Sequence, residues 1–270
     1  MITLTLKRKP TVTLEAENIC PDVFADASRD EIAAMFVYHG KRKLTIGDFF
    51  DIDGERSEDV RVVGDLHRVR MVGQRMSRGS LTIDGDIGMH LGAYMTGGRI
   101  TVNGNVGDWL CAEMTDGLIR IHGTAGGQVG GAYRGSRAGM SGGTILIDGD
   151  AGIEVGIRMK RGTVVVGGKV RDFAGLQMKG GTIVLKGGAE IRTGAWMVRG
   201  TIISLQPIQM MPTFRKSAQY NPTFTNVYAK HFSSEHGIDL PYQASQGSYT
   251  RYCGDKSVPG KGEILVWNQS

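Results

Sequence analysis

The sequence predicts an all-β protein: a right-handed parallel β-helix of about seven 19-residue coils, with an N-terminal cap and a C-terminal extended arm. Three observations predict it. Methionines recur at a fixed step, glycines keep fixed offsets from them, and apolar residues alternate between those glycines. Met76, Met95 and Met114 are 19 residues apart, and so are Met140, Met159, Met178 and Met197. A glycine stands three residues after each, from Gly79 to Gly200, and a second column runs from Gly85 to Gly187. Alternation such as Leu81/Ile83, Ile100/Val102 and Val164/Val166 marks short strands with one buried face. The "DG", "NG" and "GG" pairs beside them supply the positive φ of a tight corner. A β-meander has no reason to repeat a residue type every 19 positions. A parallel β-helix does, because each coil lies on the last at ~4.8 Å and position n stacks on n+19. The hexapeptide period of a left-handed helix is absent, and parallel crossovers are right-handed by strong preference.

Residues 1–55 read as the cap. "ITLTLK" and "VTLEA" have strand character, and "SRDEIAAM" opens a short helix on a capping box of Ser28 and Glu31. Residues 56–205 are the rod, entered through an imperfect coil, "VRVVGDLHRVRMVGQR". Residues 206–270 lose the period, gain prolines and aromatics, and read as an extended arm over the rod or over a neighbouring subunit. Both ends of a stacked rod present unpaired strand edges that such segments can cover.

The period breaks once. From Met114 to Met140 the step is 26, and the extra residues are "YRGSRAG", Tyr133 to Gly139. The spacing predicts a loop that leaves the wall and returns in register at Met140. Tyr133 offers an amphipathic anchor, and Arg134 and Arg137 offer forked donors for carboxylates. Such a loop either docks a neighbouring subunit or carrier, or is a tolerated insertion.

Composition narrows the function classes. The 41 glycines among 270 residues are about double the usual ~7%, but no Gly-x-y triplet runs through them. Three cysteines at no metal-like spacing read as a reduced chain without a disulfide frame. With no signal core and no apolar run of about 18 residues, the expectation is a soluble cytoplasmic chain. The six histidines form no H-x-H or H-E-x-x-H pattern, so neither a metal site nor a catalytic residue is assigned. His122 takes a corner slot held elsewhere by Asp84, Asn103 and Asp148, and Cys111 fills a column otherwise held by glycine. The methionine column reads as core packing rather than a soft-metal ladder.

Charge is uneven along the rod. Residues 76–130 carry three basic and five acidic side chains, whereas residues 151–200 carry nine basic and three acidic. Arg158, Lys160, Arg161, Lys179 and Arg199 fall beside the methionine column of the basic half. Two readings stand: a solvated basic face, or a site for an acidic ligand or partner. Nucleic acid is disfavoured because no aromatic platform accompanies the cations. An enzyme of the β-helix lyase or hydrolase type would want paired carboxylates on one face, and Asp84 and Asp148 lie several coils apart.

The glycine-laddered coils, the "GGAYRGSRAGMSGG" break and the closing "GKGEI" resemble the C subunit of the formylmethanofuran dehydrogenases and of the bacterial formyltransferase/hydrolase complex. The repeat core is also similar to the C-terminal β-helix domain of glutamate synthase. The resemblance covers nearly the whole chain and implies a non-catalytic scaffold in a hetero-oligomer. It implies three partners: an amidohydrolase, a relative of the molybdenum or tungsten subunit, and a formyltransferase. It further implies a methanofuran-type carrier used by the complex, with no cofactor bound by this chain alone, and formyl exchange with tetrahydromethanopterin. That carrier bears an oligoglutamate tail, a candidate for the acidic ligand of the basic half. The alternatives kept beside this are the C subunit of a formylmethanofuran dehydrogenase and a stand-alone β-helix that binds acidic ligands.

Overall fold

A computed structural model describes residues 1–243 and 245–269 of the chain. The strands Ser80–Asp84, Arg99–Val102, Leu118–Ile121, Ser141–Ile147, Arg161–Val166, Lys179–Leu185 and Arg199–Ser204 pair in parallel, each on its predecessor. Ile100 pairs with Leu81, Ile119 with Ile100, and Val164 with Ile145, so the apolar columns stack as the period requires. A second wall needs only single bridges, from Leu66 through Ile87, Val106, Ala125, Ala151 and Val170 to Ala189. The fold is a parallel β-helix.

The step of 26 leaves the stack undisturbed: Leu118 faces Thr144 and Ile121 faces Ile147 across it.

The methionine and glycine columns serve one another. Met76, Met95, Met114, Met140, Met159, Met178 and Met197 are all fully buried. Each methyl lies over the glycine one coil further on. A Cβ added to Gly98 would sit 2.7 Å from Met76 Cε, and one added to Gly162 would sit 2.7 Å from Met140 Cε. That column also takes the left-handed backbone predicted for a corner, as at Gly162 with φ of 92°.

The second column corrects an expectation. Gly85 has φ of 134°, but Gly168 and Gly187 are not left-handed. Glycine is required there by close approach instead: a Cβ on Gly187 would lie 2.4 Å from the carbonyl carbon of Gly168 in the coil below.

The third corner is built differently. Alternate residues there are left-handed, as in His90, Gly92 and Tyr94, or Trp109, Cys111 and Glu113. The N–H groups of these left-handed residues point alternately to the two neighbouring coils. His90 and Tyr94 donate to the next coil, at Asp108 and Ala112, while Gly92 donates back to Val72. Every one of these donors finds a partner, which offsets the roughly 1 kcal/mol or more that each non-glycine residue costs in this region.

The N-terminal segment continues the sheet: Ile2–Leu6 lies parallel to Asp59–Val63 and antiparallel to Phe50–Asp53. The capping box of Ser28 and Glu31 forms at the helix Arg29–Ala34.

Residues 206–269 are not extended throughout. Gly262–Gln269 returns to lie parallel on Arg199–Ser204, with Ile264 on Ile202, and so provides the rung after the last repeat. Gly262 even sits under Met197, whose Cε would lie 2.5 Å from an added Cβ. Between them the helix Thr223–His236 packs Ala229 and Phe232 on an outward column of Leu146, Val165, Val184 and Ile203. The reason is visible in that column. Its earlier members are Thr82, Thr101 and Arg120, which tolerate water, whereas its later members are apolar and need a cover.

Candidate functional site

The loop from Tyr133 to Gly139 lies against the rod's own third corner. The Tyr133 ring stacks on Trp109 at 4.9 Å between centroids and 25° between planes, and lies 5.6 Å from His90 and 5.5 Å from Tyr94. Its hydroxyl is 2.8 Å from His90 Nδ1, and its N–H donates to Glu113 at 3.0 Å. Burial raises the tyrosine above its ordinary value. Burial, and then the Arg70 guanidinium, lowers that of His90. Both shifts favour the uncharged forms, so the pair is a hydrogen bond between a neutral phenol and a neutral imidazole. Tyr133 is thus pinned to its own chain, while Arg134 and Arg137 stay exposed.

Two cations hold the loop's far side. Arg158 Nη1 donates to the Ser136 carbonyl at 2.8 Å, and Lys179 Nζ donates to the Arg137 carbonyl. The five basic residues expected to act together are therefore divided. Lys160, Arg161, Lys179 and Arg199 line one depression of about 760 Å³ with Ser141. Arg158 lies outside it and faces a neighbouring depression of about 610 Å³ beside Arg137, which Lys179 also borders. None of the five forms a salt bridge among the described residues. Glycines at 180, 181 and 200 floor the groove, so its cations project from a smooth wall. The arrangement suits an extended polyanion lying across successive coils.

Nothing in the described residues gathers three or more metal-ligating side chains. Cys111 is fully buried, and burial alone raises its thiol, so it fills space beside Gly92. His122 takes the corner slot assigned from sequence, 2.8 Å from Asp148, which also pairs with Arg120 at 2.6 Å. No helix among the described residues is long and apolar enough to cross a membrane.

Sequence reasoning did not single out His90, Tyr94 or Trp109 as the seat of the loop. Their signal was available: His90 and Trp109 are 19 residues apart and share a column, and Tyr94 lies four residues from His90 on the same corner.

Fold and groove define a parallel β-helix that presents a basic face and a folded-back loop. No family model matches the chain. It is 41% identical over 97 residues to the C subunit of the tungsten-containing formylmethanofuran dehydrogenase 2 of Methanothermobacter wolfeii, covering 34% of this chain and 36% of that one. It is 34% identical over 91 residues to the C subunit of the formyltransferase/hydrolase complex Fhc of Methylorubrum extorquens, covering 34% of each. In these matches the chain spans about a third of the length of the curated relatives. The structural likeness is far longer. A chain in the crystal structure of the Methylorubrum extorquens formyltransferase/hydrolase complex (FhcABCD) with methylofuran superposes with a TM-score of 0.87, at 32% identity over 98% of both chains. The chain belongs to the C-subunit family of the formylmethanofuran dehydrogenases and formyltransferase/hydrolase complexes.

Proposed function

We propose that this chain is the non-catalytic scaffold subunit of a formyltransferase/hydrolase complex. That complex transfers formyl from formyl-tetrahydromethanopterin to a methanofuran-type carrier and hydrolyses it to formate. The observation that carries the reading is the likeness, over 98% of both chains, to a component of FhcABCD in complex with methylofuran. The partners are an amidohydrolase, a relative of the molybdenum or tungsten subunit, and a formyltransferase. The groove of Lys160, Arg161, Lys179 and Arg199, with Arg158 beside it, guides the acidic tail of the carrier. The loop bearing Tyr133, Arg134 and Arg137 docks a neighbouring subunit near the carrier's path, with Tyr133 as its root and the two arginines as its contacts.

Purification of the tagged chain from its native host tests the reading. Three further chains should co-purify, and the complex should release formate. Recovery of the chain alone, from cells that make all four, would refute it. The 41% local identity to a component of a tungsten-containing dehydrogenase favours a second reading, the C subunit of such an enzyme. Stoichiometric tungsten or molybdenum in the purified complex decides for the dehydrogenase, and its absence for the transferase/hydrolase.

Deleting Tyr133 to Gly139 tests the loop. The deletion restores the 19-residue step and should leave the coils folded, because the register on either side is already continuous. Assembly or formyl transfer should fall severalfold. A deleted variant that assembles fully and turns over at the parent's rate excludes the docking role.

A further inference from the structure

The last coils carry a surface with a different chemistry from the basic groove. Trp196 is 48% exposed, in the company of Ile191 at 41% and Val198 at 38%. Apolar exposure at this density on one face is a mark of an interaction site. The other two tryptophans each have a ring partner, Trp109 with Tyr133 and Trp267 with Tyr249. Among the described residues no aromatic ring packs on Trp196 and no cation lies over it. Its backbone is nevertheless fixed, because its N–H donates to the buried Asp255 carboxylate at 2.9 Å.

Trp196 stands as a ridge between two depressions. On one side are Arg137, Arg158, Lys179 and Val198, around about 610 Å³. On the other are Phe173, Ile191, Met210, Met211 and Pro212, around about 620 Å³. The charges on the apolar side are consumed internally. Arg192 pairs with Asp172 and lies over Phe173 at 4.0 Å, and Asp255 accepts from Trp196 and Ser257. The three cations on the other side form no salt bridge among the described residues. One side therefore calls for carboxylates and the other for a large apolar group, within one side chain's width of each other.

We propose that the Trp196 ridge docks a partner polypeptide segment in which a large apolar side chain is flanked by carboxylates. The apolar group enters beside Met210 and Met211, the tryptophan ring packs along it, and the flanking carboxylates meet Arg137, Arg158 and Lys179. A half-exposed tryptophan on a fixed backbone is the usual anchor of such a contact. The proposal shares only Arg158 and Lys179 with the carrier groove and stands without it.

Two fluorescent heptapeptides titrated against the full chain at low salt test it: heptaglutamate, and the same peptide with phenylalanine at its centre. The phenylalanine peptide should bind about tenfold tighter, a modest return for burying one aromatic ring. Trp196→Ala should bring the two peptides to parity, and Trp196→Tyr should keep most of the difference. Parity on the unmodified chain overturns the proposal, and so does an advantage that survives Trp196→Ala. If only the phenylalanine peptide binds, the ridge stands and the carrier groove falls. If neither binds, both fall.

Discussion

Gly187→Val should destabilise the rod by about 4 kcal/mol or more, the range reserved for changes that break a specific structural requirement. The cause is contact with backbone, which cannot step aside. An added Cβ would lie 2.4 Å and 2.5 Å from the carbonyl carbon and oxygen of Gly168, and 2.8 Å from the nitrogen of Lys169. Relief would require prising apart two coils that are hydrogen-bonded to each other. Gly135→Val is the control, because Gly135 has φ of 90° but nothing within 4 Å of an added Cβ. It should cost only the backbone term, about 1–2 kcal/mol. Thermal unfolding followed by circular dichroism separates them. For a chain of this size the two midpoints should differ by roughly 5–10 °C. Equal losses would mean that the coils yield around an added side chain, and that close approach is not what keeps glycine in that column.

Reversing Lys160, Arg161 and Arg199 together to glutamate should weaken heptaglutamate binding by about 100-fold. The estimate takes about 1 kcal/mol for each exposed charge. These three are chosen because their side chains are exposed and hold no part of the described chain, whereas Arg158 and Lys179 also tie down the loop. The fold should survive. The parent's binding should itself fall steeply as salt rises towards about 1 M, where screening shortens to about 3 Å. Within the complex the same change should raise the Michaelis constant for the carrier. Unchanged affinity and a flat salt response would return these residues to a solvated face.

Much of this was legible in the sequence, for a physical reason. In a stack, position n meets position n+19, so the tertiary contact is also a periodic one, and Met76, Met95 and Met114 announce it. The capping box at Ser28 is local and equally readable. What escaped was not periodic. The strand Gly262–Gln269 joins the stack after a long excursion, so its partner cannot be found by counting, although "GKGEI" does repeat the glycine-apolar offset of "RGTII". The helix Thr223–His236 has only weak amphipathic character, and its cause lies in Leu146, Val165, Val184 and Ile203 on the rod. The basic residues were all visible, but two of them spend hydrogen bonds on the loop, a division that only three dimensions reveal. The second glycine column was equally legible, but the reason for glycine at 187 was not. Sequence cannot distinguish a residue that needs an unusual φ from one that needs an absent Cβ.

The terminal rung has a consequence for biosynthesis. Coils two to seven can each be laid down on a finished predecessor as the chain leaves the ribosome. The strand that covers the seventh cannot, because it is encoded far downstream of the coil it completes, beginning only at Gly262. At ~5–20 residues per second, several seconds pass between emergence of Arg199–Ser204 and arrival of its partner. Throughout that interval an unpaired strand and a bare apolar column face water. A nascent chain stalled there is an open template, and it is the stage at which a chaperone, or an early-binding partner protein, has most to protect.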